Sequence, residues 1–235
     1  MINTYNESNL HNSLKNIFAQ RTGGVTEYQS GSYICDIYSP EIIIEIQTAN
    51  LSSLEKKTAF LIENHKIEIV FPVAEQTIIE TWTEEGELVS TRKSPKKEDE
   101  LSIFRQMTKL YKFVGNDNFS IRLVFVNQKQ IRIKTEENIQ LINKSRRFKK
   151  NWYKKNKKLL SINKEIILQS KSDFAKLIKD RISLQIFCKK DIEQFARKDA
   201  GIIIWVSKKM GIIEQAEIKG RKIYYVFVQA QKQCN

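Results

Sequence analysis

Residues 42–46 read Ile-Ile-Ile-Glu-Ile, apolar at odd and even positions alike. A strand turns successive side chains to opposite faces, so a run of this kind is buried on both. That restricts the chain to a sheet covered on both sides, an α/β architecture. It also makes Glu45 expensive, because a carboxylate buried there needs a partner. The run is the second half of a hairpin. Tyr33–Tyr38 is β-branched and aromatic, and Ser39-Pro40 is turn chemistry. With the turn centred between Pro40 and Glu41, Asp36 lies directly opposite Glu45. Opposed side chains stand roughly 4.5–5.5 Å apart at Cβ, and the period of two puts Gln47 on the same face as Glu45. Like charges so placed repel unless a cation lies between them. The pattern therefore points to a divalent metal held by Asp36 and Glu45. Two hydrated acids on an exposed hairpin face are the alternative, and the apolar flanks weigh against it.

The net charge of +13 is unevenly spread. Residues 1–140 hold 16 Lys/Arg against 19 Asp/Glu, a net of −3, whereas residues 141–235 hold 24 against 8, a net of +16. A basic half signals an anionic partner, most simply nucleic acid. Nine of the fifteen residues from Lys144 to Lys158 are Lys or Arg, with Phe148, Trp152 and Tyr153 interleaved. Arg146, Arg147, Lys149, Lys150, Trp152, Lys154 and Lys155 are candidate DNA contacts of a basic arm or linker over 141–171, the alternative being a solvated linker. Cys35, Cys188 and Cys234 show no metal or disulfide spacing, and Cys35 reads as a core residue. The residues after Met1 have neither a basic start nor an apolar run, and no stretch approaches the ~20 apolar residues of a membrane span. A soluble, cytoplasmic protein with no membrane partner is expected.

Periodicity predicts a helix over 8–20, strands over 25–28 and 32–38, a helix over 53–64 and a strand over 66–72 ending in a turn. A hairpin over 76–82 and 87–93, a helix over 98–114 with Leu101, Phe104, Leu110 and Phe113 inward, and strands over 119–126 and 130–134 follow. From Ser172 the pattern changes to three helices, over 172–181, 187–196 and 199–210, and a hairpin turning at Lys219-Gly220. Trp205 falls at the margin of the third helix's apolar face and is expected to be structural.

Asp36, the gap, then Glu45-Ile46-Gln47 resembles the PD-(D/E)XK nuclease superfamily, with Gln47 where Lys is commonest and Glu7 matching the acid often found on the preceding helix. The resemblance covers roughly residues 7–72. It implies a restriction-endonuclease-like core, a mixed sheet flanked by helices, over 1–140. Residues 172–228 resemble a winged helix-turn-helix, implying a small α+β domain over 172–235 whose third helix enters the major groove. Lys208, Lys209, Lys219, Arg221 and Lys222 would contact phosphates there. The function implied is an Mg²⁺-dependent endonuclease of restriction or repair type acting on double-stranded DNA, with a homodimer as one option. Asp36, Glu45, Gln47 and Glu7 would form its catalytic set. Two alternatives stay open: a non-catalytic winged-helix regulator that keeps a degenerate nuclease fold, and an RNA-binding or RNA-processing protein.

Overall fold

The computed structural model describes residues 8–140 and 149–228. Helix α1 (Asn9–Thr22) is capped by the Ser8 side chain and ends at Gly23 in the left-handed region. Strands β1 (Val25–Ser30), β2 (Tyr33–Tyr38) and β3 (Ile43–Ile46) form an antiparallel meander. A 3₁₀ turn (Leu51–Leu54) and helix α2 (Glu55–Leu61) lead to β4 (Ile67–Trp82), which lies parallel to β3. Strand β5 (Leu88–Lys93) returns antiparallel to β4, and two 3₁₀ segments (Glu100–Arg105, Leu110–Phe113) cross the sheet. Strand β6 (Phe119–Gln140) is parallel to β4, and β7 (Lys149–Leu168) is antiparallel to β6. The sheet order is β1-β2-β3-β4-β6-β7, with β5 also on β4. This is a mixed α/β architecture with a large mixed sheet flanked by helices.

The double burial read from residues 42–46 has a concrete layout. Ile44, Ile46, Val70, Val124 and Val126 face α1 through Leu10, Leu14 and Phe18. Ile43, Ile69, Phe71, Ile121, Leu123 and Phe125 face the other way, against Leu101, Phe104 and Leu110. That second core continues without a break into the C-terminal residues Phe174, Ile178, Ile203 and Val206. They come from α3 (Lys171–Lys179), β8 (Ile186–Cys188), α4 (Lys189–Ala196), α5 (Ala200–Met210), β9 (Ile213–Lys219) and β10 (Lys222–Phe227), whose small sheet runs β8-β10-β9.

Three expectations are corrected. The helix expected over 98–114 is two 3₁₀ segments, which rise about 2.0 Å per residue rather than 1.5 and so spread Leu101, Phe104 and Leu110 over more of the sheet. The strand expected to end at Pro72 continues to Trp82. Val70 accepts a hydrogen bond from Gln47 of the β3 side at 3.0 Å, and Pro72, two residues on, faces the same edge just past the end of β3, where no donor is required. Residues expected as a basic linker or arm form β7, at one edge of the sheet, while 141–148 lie outside the described residues. Lysines on an edge strand discourage pairing with a second sheet, which gives the basic run a structural use.

Beside the meander, a Cβ at Gly24 would lie 2.6 Å from Ile37 Cγ2 and 2.9 Å from the Tyr38 carbonyl oxygen. Gly24→Ala is expected to lower stability by roughly 1–3 kcal/mol, readable as a lower denaturant midpoint. No helix among the described residues is long and apolar enough to cross a membrane.

Candidate functional site

The pairs Ile37↔Ile44 and Tyr38↔Ile43 set the β2–β3 register, and continuing it puts Asp36 across from Glu45. The ladder, however, stops at Ile37. Beyond it the Asp36 side chain occupies the seam, where its Oδ2 accepts the Ile46 N–H at 2.8 Å. His11 of α1 approaches the same oxygen, with Nε2 3.4 Å away. From the opposite face Lys57 of α2 donates to Glu45 Oε2 at 2.6 Å and to the Ile34 carbonyl at 2.6 Å. One helix on each side of the sheet thus supplies a partner for one of the two acids. Glu45 is 4% exposed, and its Oε1 is buried without a hydrogen-bond partner.

These surroundings drive the two carboxyls apart. Burial pushes Glu45 up to about 7, against the pull of the Lys57 charge and with a further push from Asp36. Burial also pushes Asp36 up, but the hydrogen bond and charge of His11, the Ile46 N–H and Lys57 together outweigh it and hold that carboxyl below its ordinary value. The opposed directions follow from different surroundings, burial dominating at Glu45 and hydrogen bonds with His11 and Ile46 at Asp36. The adjoining Cys35 thiol, fully buried, is pushed up to about 11 by burial and by Glu45, so it is inert at neutral pH, in keeping with a core role.

Gln47 is not in this group. Its Nε2 donates to Ser53 Oγ at 3.0 Å, drawing the amide toward the 3₁₀ turn after β3. Glu7 lies outside the described residues, as do Arg146 and Arg147. Lys57 is the residue that sequence reasoning missed. Its only signal was a lysine pair, Lys56-Lys57, in the first turn of the helix that follows the hairpin.

The other candidates sit on two surfaces. Lys149, Lys150, Trp152, Lys154 and Lys155 lie on β7. The Trp152 ring is already covered by the Arg132 guanidinium at 3.8 Å and the Lys150 ammonium at 4.5 Å, so this indole packs against cations. Lys208 and Lys209 close α5, and Lys219, Arg221 and Lys222 surround the β9–β10 turn, with Lys219 paired to Glu217 at 2.7 Å. Trp205 is 41% exposed and meets Tyr111 edge-on at 5.8 Å, a partial packing role that leaves one side to solvent.

Two concavities share the Glu98 side chain. A cavity of about 220 Å³ opens at the β4 edge left bare between β3 and β5, lined among others by Leu10, Thr48, Pro72, Gln128, Glu98 and Lys157. A cleft of about 870 Å³ lies between residues 95–105 and the corner from α4 to α5. Among the described residues, no group of three or more His, Cys, Asp or Glu side chains forms a metal cluster.

A family model described as a domain of unknown function, DUF8091, matches residues 8–169. An "Uncharacterized protein" of Treponema pallidum (strain Nichols) is 28% identical over 194 residues, covering 82% of this chain and 74% of that protein. No solved structure matches the chain. The matched span opens at Ser8, the cap of α1, and closes just before Ser170, the cap of α3. It therefore contains every strand of the large sheet, β7 included, together with Asp36, Glu45 and Lys57. On that match the chain belongs to the DUF8091 family, a domain of unknown function.

Proposed function

We propose that the protein binds nucleic acid and hydrolyses phosphodiester bonds at a centre made of Asp36, Glu45 and Lys57, as a metal-dependent endonuclease related to the PD-(D/E)XK enzymes. One observation carries the reading: a buried Glu and a neighbouring Asp at a parting of two strands, with a lysine ammonium 2.6 Å from the Glu. Lys57 supplies from α2 the cation that Gln47 cannot provide.

A divalent metal fits the residues in one respect. Hard cations take oxygen ligands, and Mg²⁺ keeps several waters, so two carboxylates suffice on the protein side. The buried, unpartnered Glu45 Oε1 is an acceptor lacking a donor. Asp36 and Glu45 would hold the ion, which when bound would polarise the scissile phosphate and acidify a water. His11 and the Ile46 N–H fix the Asp36 carboxylate, and Lys57, held by Glu45 and the Ile34 carbonyl, keeps the Glu45 carboxylate oriented and supplies positive charge at the centre. The C-terminal order helix–strand–helix–helix–hairpin, with the β8-β10-β9 pairing, supports a winged helix-turn-helix reading for residues 171–227. There Lys208, Lys209, Arg221 and Lys222 would meet the backbone of double-stranded DNA.

The same ion pair favours a second reading. If Lys57 satisfies Glu45 as a purely structural partner, the centre is a relic and the protein is a non-catalytic nucleic-acid-binding regulator. Plasmid DNA incubated with the full chain and Mg²⁺ or Mn²⁺ separates the two. Nicking by the wild type, lost in Asp36→Ala and Glu45→Ala, is the expected result. In parallel, metal should raise the melting temperature by mass action, with about 2.7 kcal/mol of stabilisation at a hundredfold excess over Kd. No nicking and no metal-dependent melting shift would leave the regulator reading.

A further inference from the structure

The cavity and the cleft share one wall residue, Glu98, and the cavity's lining includes a sequence neighbour of His11. Leu10 lines the cavity, and the next residue, His11, touches Asp36. Thr48 lines it too, one residue beyond Gln47. Glu98 then forms a wall of both the cavity and the cleft. The charges along this route are unequal. Glu98 is neutralised by Lys96 at 2.6 Å, with Arg105 at 4.0 Å. Asp199 is taken by Arg105 at 3.4 Å, and Asp99 by Arg181 at 3.6 Å. Glu75 receives the Asn163 amide at 2.6 Å. Among the described residues, Lys97, Arg197 and Lys198, all exposed on the cleft, form no ion pair with an acid. In the cavity, burial and the charge of Lys154 hold the Lys157 ammonium below its ordinary pKa, and the charge of Glu98 only partly opposes them.

Arg197 adds an independent sign. Its φ of 46° and ψ of −118° lie in a region that favours glycine. An arginine held there is strained, and strained backbone clusters at functional sites. Packing of the side chain does not hold it there, since Arg197 is exposed on the cleft.

We infer that one strand of nucleic acid lies by its phosphodiester backbone along the cavity and the cleft, past Lys157 to Lys97, Arg197 and Lys198. The inference rests on the nucleic-acid reading above and adds the path. It places the principal grip in the cleft at the α4–α5 corner rather than on the exposed face of α5.

The test is polarisation with a short fluorescein-labelled DNA duplex, and RNA of the same sequence alongside, using the full chain across a salt series. The variants are Arg197→Gly, Lys97→Glu/Lys198→Glu and, for comparison, Lys208→Glu/Lys209→Glu. Each lost phosphate contact should weaken binding about tenfold near 0.1 M salt and flatten the log–log salt slope by about one. Arg197→Gly should do this while melting at or above the wild-type temperature, since glycine relieves the backbone. Binding of either nucleic acid that is lost in the cleft variants supports the path. Wild-type binding that survives both cleft changes, or is lost only with Lys208→Glu/Lys209→Glu, overturns the path and leaves the nucleic-acid reading standing. An Arg197→Gly protein that melts lower than wild type overturns the role given to Arg197. A wild type that binds neither probe overturns the nucleic-acid reading itself, and the path with it.

Discussion

Phe104→Ala should destabilise the whole chain by about 3–5 kcal/mol and should do so in a single unfolding transition. Phe104 is fully buried in the core that joins the sheet to the C-terminal elements, and its ring meets Phe174 of α3 edge-on at 6.1 Å. The loss combines the transfer energy of the ring with the cavity left behind, because packing on both sides relaxes only in part. Two separate modules joined by a linker would give a different outcome, with one transition moving and the other fixed. Calorimetry and circular dichroism on wild type and variant decide between the two. Coincident shifts support one shared core, and a second transition left unmoved would show that residues 171–228 fold independently of Phe104.

That shared core also explains why a cut at residue 140 is physically costly. It would strip β7 from β6 along pairs from Ile121↔Leu168 to Gln140↔Lys149, leaving an unpaired edge in the N-terminal piece and a lysine-rich strand without a sheet in the other.

The parts of the fold that were legible follow from periodicity and turn chemistry. Leu10, Leu14 and Phe18 mark α1, Ser39-Pro40 fixes the register of the hairpin, and Gly211 closes α5 with φ of 70°. Long-range structure hid the rest. Beyond Ala74 the apolar pattern of β4 changes phase at a register shift against β6, so one strand reads as two. In β7 lysine, a residue depleted in strands, masks a partner that only β6 reveals. At residues 100–113 the i, i+3 pattern is genuine, but i and i+3 share a face in a 3₁₀ turn as in an α-helix, so the pattern does not separate the two. Within the site the two acids were legible, because Glu45 stands out in an apolar run. Lys57 was not: which side chain of α2 faces Glu45 depends on how that helix lies over the sheet, and spacing in the sequence does not encode it.

Glu45 should also make stability fall as pH rises from about 4.5 to about 7. In the unfolded chain its carboxyl titrates at its ordinary 4.5, whereas burial pushes it up to about 7 in the fold. Below 4.5 both states hold the proton. Between the two values the unfolded chain has released it and the folded chain has not, so each rise in pH favours unfolding; above about 7 both are ionised and the loss is complete. At 1.36 kcal/mol per pH unit, the loss is on the order of 3 kcal/mol. Asp36, held below its ordinary 3.8, acts in the opposite sense, since its contribution is lost only as pH falls through the acid range. The two effects therefore occupy separate windows. Glu45→Gln should remove the decline between pH 5 and 8, with the variant overtaking wild type at the alkaline end unless the unpaired Lys57 ammonium offsets the gain. Lys57→Met settles that point, because it removes the ammonium that favours the Glu45 anion and should carry the decline to higher pH. Denaturant midpoints at half-unit steps of pH, compared between wild type and the two variants, measure it. Identical pH profiles in wild type and Glu45→Gln would show that Glu45 ionises freely in the fold, and the buried centre would then lose its electrostatic basis.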